Sequence, residues 1–111
     1  MFKLSTTPSY IYPVVVEIPG GEIFSFNAKF KRLTQTELDA MQQRCQADEI
    51  TDDDIVDQVL LGWDDQVKDE DDTTPLPFTE ENKARVLAIV PTRGTIVRTF
   101  FESLAKAKKK P

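Results

Sequence analysis

A chain of 111 residues with no histidine and a single cysteine must draw any chemistry from carboxylates, hydroxyls and one thiol. The densest supply of oxygen donors is the run DDQVKDEDDTTPLPFTEE, residues 64–81. Counting Asp69 as the first position of a twelve-residue calcium loop sets Asp71 at the third, Thr73 at the fifth and Glu80 at the twelfth, each an oxygen where such a loop uses one. The sixth position is Thr74, where the sharp turn of that loop needs glycine. Pro75 and Pro77 stiffen the segment, and DDQVK upstream is no amphipathic helix. The acids therefore read as a solvated loop face. Paired carboxylates do acid–base work when their environments differ within a cleft, and water around a loop would level these. Cys45 lies on a predicted helix, where it reads as a small helix-face residue rather than a reactive thiol, and the chain has no nucleophile elbow or phosphate-cradling glycine loop. The expectation is a non-enzymatic protein with no metal or cofactor; a calcium-responsive module is the reading that a calcium-dependent rise in melting temperature would support.

The elements that would carry this loop are legible from periodicity and end signals. VVVEI and IFSFNAKFK flank Pro19, Gly20 and Gly21, and in the second run Phe24, Phe26, Ala28 and Phe30 alternate with Ser25, Asn27, Lys29 and Lys31. That period of two is a half-buried strand, and the turn residues between the runs suit a hairpin over about 12–32. Thr34 with Glu37 forms a capping box, with Leu33 placed to staple onto Leu38; Thr51, followed by Asp52 and Asp53, repeats the device with Ile50 and Ile55. The second helix is expected to line up Ile55, Val56, Val59, Leu60 and Trp63, with Gly62 ending it. Thr79, Glu80 and Glu81 open a third helix that turns Val86, Leu87 and Val90 inward, until Pro91 stops it or starts the next. The last helix carries Ile96, Val97, Phe100, Phe101 and Leu104 on one stripe and ends in lysines 106 and 108–110. The fold class is α+β: an N-terminal antiparallel hairpin or small sheet, then about four helices over 34–107, in a single domain spanning 1–111.

Composition narrows the classes further. At 40% hydrophobic and 30% charged residues the chain falls in the globular range. Its longest apolar runs, Val14–Val16 and Val86–Val90, are far shorter than a bilayer span, and the N-terminus lacks the apolar core of a secretory signal. A lone cysteine suits a reducing compartment. Residues 48–81 hold 14 acids against one base, Lys68, whereas residues 82–111 hold 8 bases against one acid, Glu102. The net charge of −5 argues against nucleic acid as partner, and the polarity suggests instead that the acidic middle of one copy meets the basic end of the next. For that head-to-tail contact the candidate bases are Arg93, Arg98 and Lys106, the candidate acids Asp64, Asp65, Asp69 and Asp72, and Trp63 a candidate interface aromatic.

The stretch VLLGWDDQVKDEDDTTPLPFTEENKARVLAIVP, followed by TIVRTFFESL, resembles the tail assembly chaperones of long-tailed, lambda-like bacteriophages and prophages. Val59–Trp63, Val67–Asp71, Pro75–Asn82, Pro91 and Phe100–Ser103 match the family's elements in order, and the hairpin with FSFNAKFKRLTQTEL extends the likeness over most of the chain. The chain departs from the pattern at DDTTPLP, where a glycine is expected near Thr73 or Thr74. The resemblance implies a non-enzymatic protein of the host bacterial cytoplasm that binds the tape measure protein and promotes tail tube assembly, and that is absent from the mature virion. It also implies a longer frameshifted product that recruits tail tube protein, with the lysine-rich AKAKKKP as the place to seek the slippery codons. The alternative is a tail-completion or connector protein retained in the virion. Within the matched stretch, Trp63, Leu76 and Phe78 read as apolar pins fastening an ordered connector whose acids face water.

Overall fold

The computed structural model describes residues 8–68 and 73–109, the last four of these by their helical backbone alone. Among these residues three antiparallel strands form one sheet in the order β1-β2-β3: β1 is Ser9–Ile18, β2 is Glu22–Lys31 and β3 is Leu60–Trp63. Four helices accompany it, α1 Gln35–Gln46, α2 Asp52–Val59, α3 Glu80–Leu87 and α4 Thr92–Lys109. The fold is α+β, as the periodicities indicate, with strands longer than the expected hairpin and a third strand set between α2 and α3.

The hairpin follows from its turn chemistry and its alternation. Gly20 and Gly21 take φ of 110° and 97°, the region that side chains resist, and the Gly21 N–H closes the turn on the Ile18 carbonyl at 3.2 Å. Register then runs from Ile18 opposite Glu22 to Ser9 opposite Lys31. Val14 and Val16 of β1, with Phe26, Ala28 and Phe30 of β2, are buried on one face. Helices α2 and α4 cover that face, α4 along β1 and α2 along β2, contributing Ile55, Val56, Val59, Ile96 and Phe100 to the same core. The Phe30 and Phe100 rings meet edge to face at 5.4 Å.

Both capping boxes form. Thr34 Oγ1 accepts from the Glu37 N–H at 3.1 Å while Glu37 accepts from the Thr34 N–H at 2.9 Å, and Thr51 with Asp54 repeats the exchange. Helix α1 ends in a Schellman arrangement: the Asp48 N–H reaches the Cys45 carbonyl and the Glu49 N–H the Arg44 carbonyl, with Asp48 at φ 59° where glycine is usual.

Two expectations are corrected. Leu60 and Trp63 do not continue the stripe of α2, because the chain turns extended at Leu60 (φ −88°, ψ 108°) and pairs with β2, Gly62 opposite Lys29 and Trp63 opposite Ala28. The open edge of β2 offers this segment a ladder that outweighs one more helical turn, which Gly62 would in any case weaken. Val90 is 73% exposed rather than inward, because α3 stops at Leu87 and the tight turns Ile89 N–H to Val86 O and Thr92 N–H to Ile89 O carry it outside.

Candidate functional site

The connector between β3 and α3 begins at a residue held from two sides. Trp63 donates its indole N–H to the Leu76 carbonyl at 2.6 Å, and its ring meets Phe78 edge to face at 4.8 Å and Phe26 at 6.5 Å. Leu76 is buried, Phe78 half-buried, and the Leu76 N–H donates to the Val67 carbonyl at 2.8 Å. Lys68 bridges Pro75. The pins read from the sequence therefore do fasten the described ends of the connector. Thr79 then caps α3 by accepting from the Asn82 N–H, and the Asn82 amide donates to the Pro77 carbonyl, tying helix start to connector end.

The charged candidates fall into distinct environments. Asp64 accepts from the side-chain amide of Asn27 at 2.8 Å and from the Asn27 and Gln66 N–H groups at 3.2 Å. Desolvation pushes its carboxyl upward, but these hydrogen bonds together outweigh it and hold the group below the usual aspartate range. This carboxylate binds the sheet, closing β3 against β2. Asp65 is exposed, and Asp69 and Asp72, like Asp71 of the calcium count, lie outside the described residues. Arg93 pairs with Asp53 of α2 at 2.8 Å, and Arg98 lies 4.0 Å from Glu102 one turn along α4; all four side chains are about half exposed or more, so each pair contributes at most about 1 kcal/mol. Lys106 is placed by the helical backbone of α4 alone, and Lys110 of the lysine-rich end lies outside the described residues. Among the described candidates, Asp64 and Asp65 thus follow β3 while Arg93 and Arg98 sit on α4, and Arg93 and Asp64 have partners within the chain.

Two features were not read from the sequence. Lys83, buried on α3, donates to Asp57 of α2 at 2.7 Å, an ion pair joining two helices 26 residues apart. A groove of about 620 Å³ opens between the hairpin tip and α3, lined by Ile18, Ile23, Phe24, Val67, Val86 and Ile89, with Glu22 and Lys68 at its lips. Ile23 at 70% exposure and Ile89 at 40% carry its apolar surface to water, which is where a binding partner would gain most from contact. Alternation in β2 marks the outward side of Ile23, whereas the position of Ile89 depends on where α3 ends. Among the described residues no cluster of three metal-ligating side chains forms, and no helix is long and apolar enough to cross a membrane. No family model, no curated protein and no solved structure matches this chain.

Proposed function

We propose that the protein is a tail assembly chaperone of a long-tailed bacteriophage or prophage, acting without catalysis in the host cytoplasm. Its client is the tape measure protein, and it leaves no copy in the finished particle. The observation that carries this reading is the ordered set of elements from Val59 to Ser103 that resembles the family, including GW, PLPFTEEN and the Phe100–Phe101 pair. The fold uses that stretch as one unit, the pinned connector feeding α3 and then α4. On this reading, the apolar groove beside Ile23 and Ile89 receives the greasy face of the client and keeps it from self-association.

Co-expression with the tape measure protein tests it. The wild-type chain raises the soluble fraction of that client, and Ile23→Asp, a change at an exposed position, abolishes the gain while leaving the melting temperature within a few degrees. Unchanged client solubility with the wild-type chain would overturn the assignment, as would finding the protein in purified virions by mass spectrometry.

A further inference from the structure

Strand β3 occupies only part of the edge that β2 offers. Its ladder ends with Trp63 opposite Ala28, and Asp64 then donates its N–H to the Asn27 carbonyl at 3.1 Å and accepts the Asn27 N–H on its carboxylate at 3.2 Å. The same carboxylate oxygen accepts the Gln66 N–H, so the chain turns away from β2 at this point. Both backbone groups of Asn27 therefore face the β3 side. Register between β1 and β2 runs unbroken from Ser9–Lys31 to Ile18–Glu22, so alternation carries the same outward direction on to Ser25 and Ile23. Even-numbered residues of β2 face β1 instead, in step with the Arg32 N–H that donates to the Pro8 carbonyl at 2.9 Å. Among the described residues no strand lies against Ser25 and Ile23 on the outward side. The slot from Glu22 to Ser25 is about 13 Å long, four residues of strand. The apolar groove of about 620 Å³ opens beside it, with Phe24 on the β2 wall and Val67, Val86 and Ile89 across. The free edge of β1 is different: Pro13 stands in its middle with no N–H to offer, whereas β2 contains no proline.

We propose that this slot takes an extended segment of the client as a further strand, set on β2 in line with β3. The inference rests on reading the groove as the client site, and it adds how the client is held. Ser25 and Ile23 each present one N–H and one C=O, so a strand laid antiparallel exchanges four hydrogen bonds with them. The residue between the two bonded ones comes opposite Phe24 and points its side chain to the same face, into the groove bounded by Val67, Val86 and Ile89. Its neighbours point to the outer face beside Ile23 and Ser25, both exposed. The segment is therefore about four residues long, free of proline where it meets Ser25 and Ile23, and apolar opposite Phe24. A helix laid in the groove would cover the same apolar side chains but leave those four backbone groups unmet. Donors and acceptors repeating at strand spacing beside an apolar trench, continuous with a ladder already in place, favour the strand.

Proline at position 25 tests the strand. Ser25→Pro removes an N–H that β1 does not use and sets a ring on the open edge, the setting Pro13 already occupies in β1. Its melting temperature should stay within a few degrees of the wild type, while on co-expression the soluble fraction of the tape measure protein should fall to the level seen without the chain. Hydrogen exchange of the wild-type chain, alone and co-purified with the tape measure protein, decides the matter if the proline variant fails to fold. The Ile23 and Ser25 amides should exchange freely in the isolated chain, with Phe24 and Phe26 protected, and should slow by at least about tenfold in the complex. Full rescue of the client by folded Ser25→Pro would overturn strand addition. So would Ile23 and Ser25 amides that exchange as fast in the complex as in the isolated chain. If Ile23→Asp remained inactive in either case, the groove would stand as the client site, held by side chains alone. A wild-type chain that leaves the tape measure protein insoluble would overturn both readings together.

Discussion

At one edge of the sheet, β3 is four residues long and its last residue, Trp63, is locked by an indole hydrogen bond and two aromatic rings. At the other, β1 runs for ten residues and shows Ile11 and Val15 to water. The end of the first edge is tied to the connector that follows it; the second is left with backbone groups pointing outward and Pro13 to blunt it. Unpaired edges invite partners, and proteins normally shorten, charge or cover them. One sheet therefore has two unlike edges, with tertiary contacts concentrated around Trp63 and exposed strand surface around Val15.

Breaking the closed edge should have the largest effect. Trp63→Ala removes the Leu76 hydrogen bond together with the packing on Phe26 and Phe78, and is expected to cost about 3 kcal/mol in urea unfolding, within the range for large aromatic truncations. Trp63→Phe keeps much of the ring packing and should lose about 1 kcal/mol, the worth of one hydrogen bond.

Next comes the carboxylate that seals β3 to β2. Asp64→Ala should cost about 1 kcal/mol, and adding Asn27→Ala should cost little more, since the two side chains act as a pair. The pH dependence has a definite sign. Hydrogen bonds hold Asp64 below the ordinary aspartate range; the Thr34 N–H does the same for Glu37, and the Thr51 N–H for Asp54. Their contribution is complete above the unfolded carboxylate values and is lost as pH falls through the lower, folded ones. Melting curves recorded from neutral pH into the acid range should therefore fall, and fall less steeply in Asp64→Asn.

The open edge should be nearly silent in the monomer. Ile11→Thr and Val15→Thr each replace an exposed side chain with one of good strand propensity, so dilute protein should change by no more than about 0.5 kcal/mol. A loss of several kcal/mol in dilute protein would mean that the outer face of β1 stabilises the monomer as strongly as the Trp63 lock does, and the contrast between the edges would disappear.

Local features are legible in the chain alone. The period-two run through Phe24, Phe26, Ala28 and Phe30 names the buried face of β2, two adjacent glycines name the turn, and each threonine three residues ahead of Glu37, Asp54 or Asn82 starts a helix. Such signals act within a few residues, where backbone sterics and capping hydrogen bonds suffice. The Trp63–Phe78 pins span more of the chain than such signals do, and they were read through the resemblance.

Other assignments required the folded chain. Val59, Leu60 and Leu61 suit a helix or a strand by type, and only the free edge of β2, some thirty residues earlier, makes Leu60–Trp63 a strand. Charge pattern alone likewise offered Asp64 and Arg93 to a second molecule, whereas proximity in space gives them Asn27 and Asp53. Where the helices start, which face of β2 turns inward and where charge accumulates all follow from neighbours along the chain, so the residues in order suffice for these. The third strand, the partners of the charges and the sheet edge that stays open depend on groups brought together across tens of residues, so they are settled only when the chain has folded.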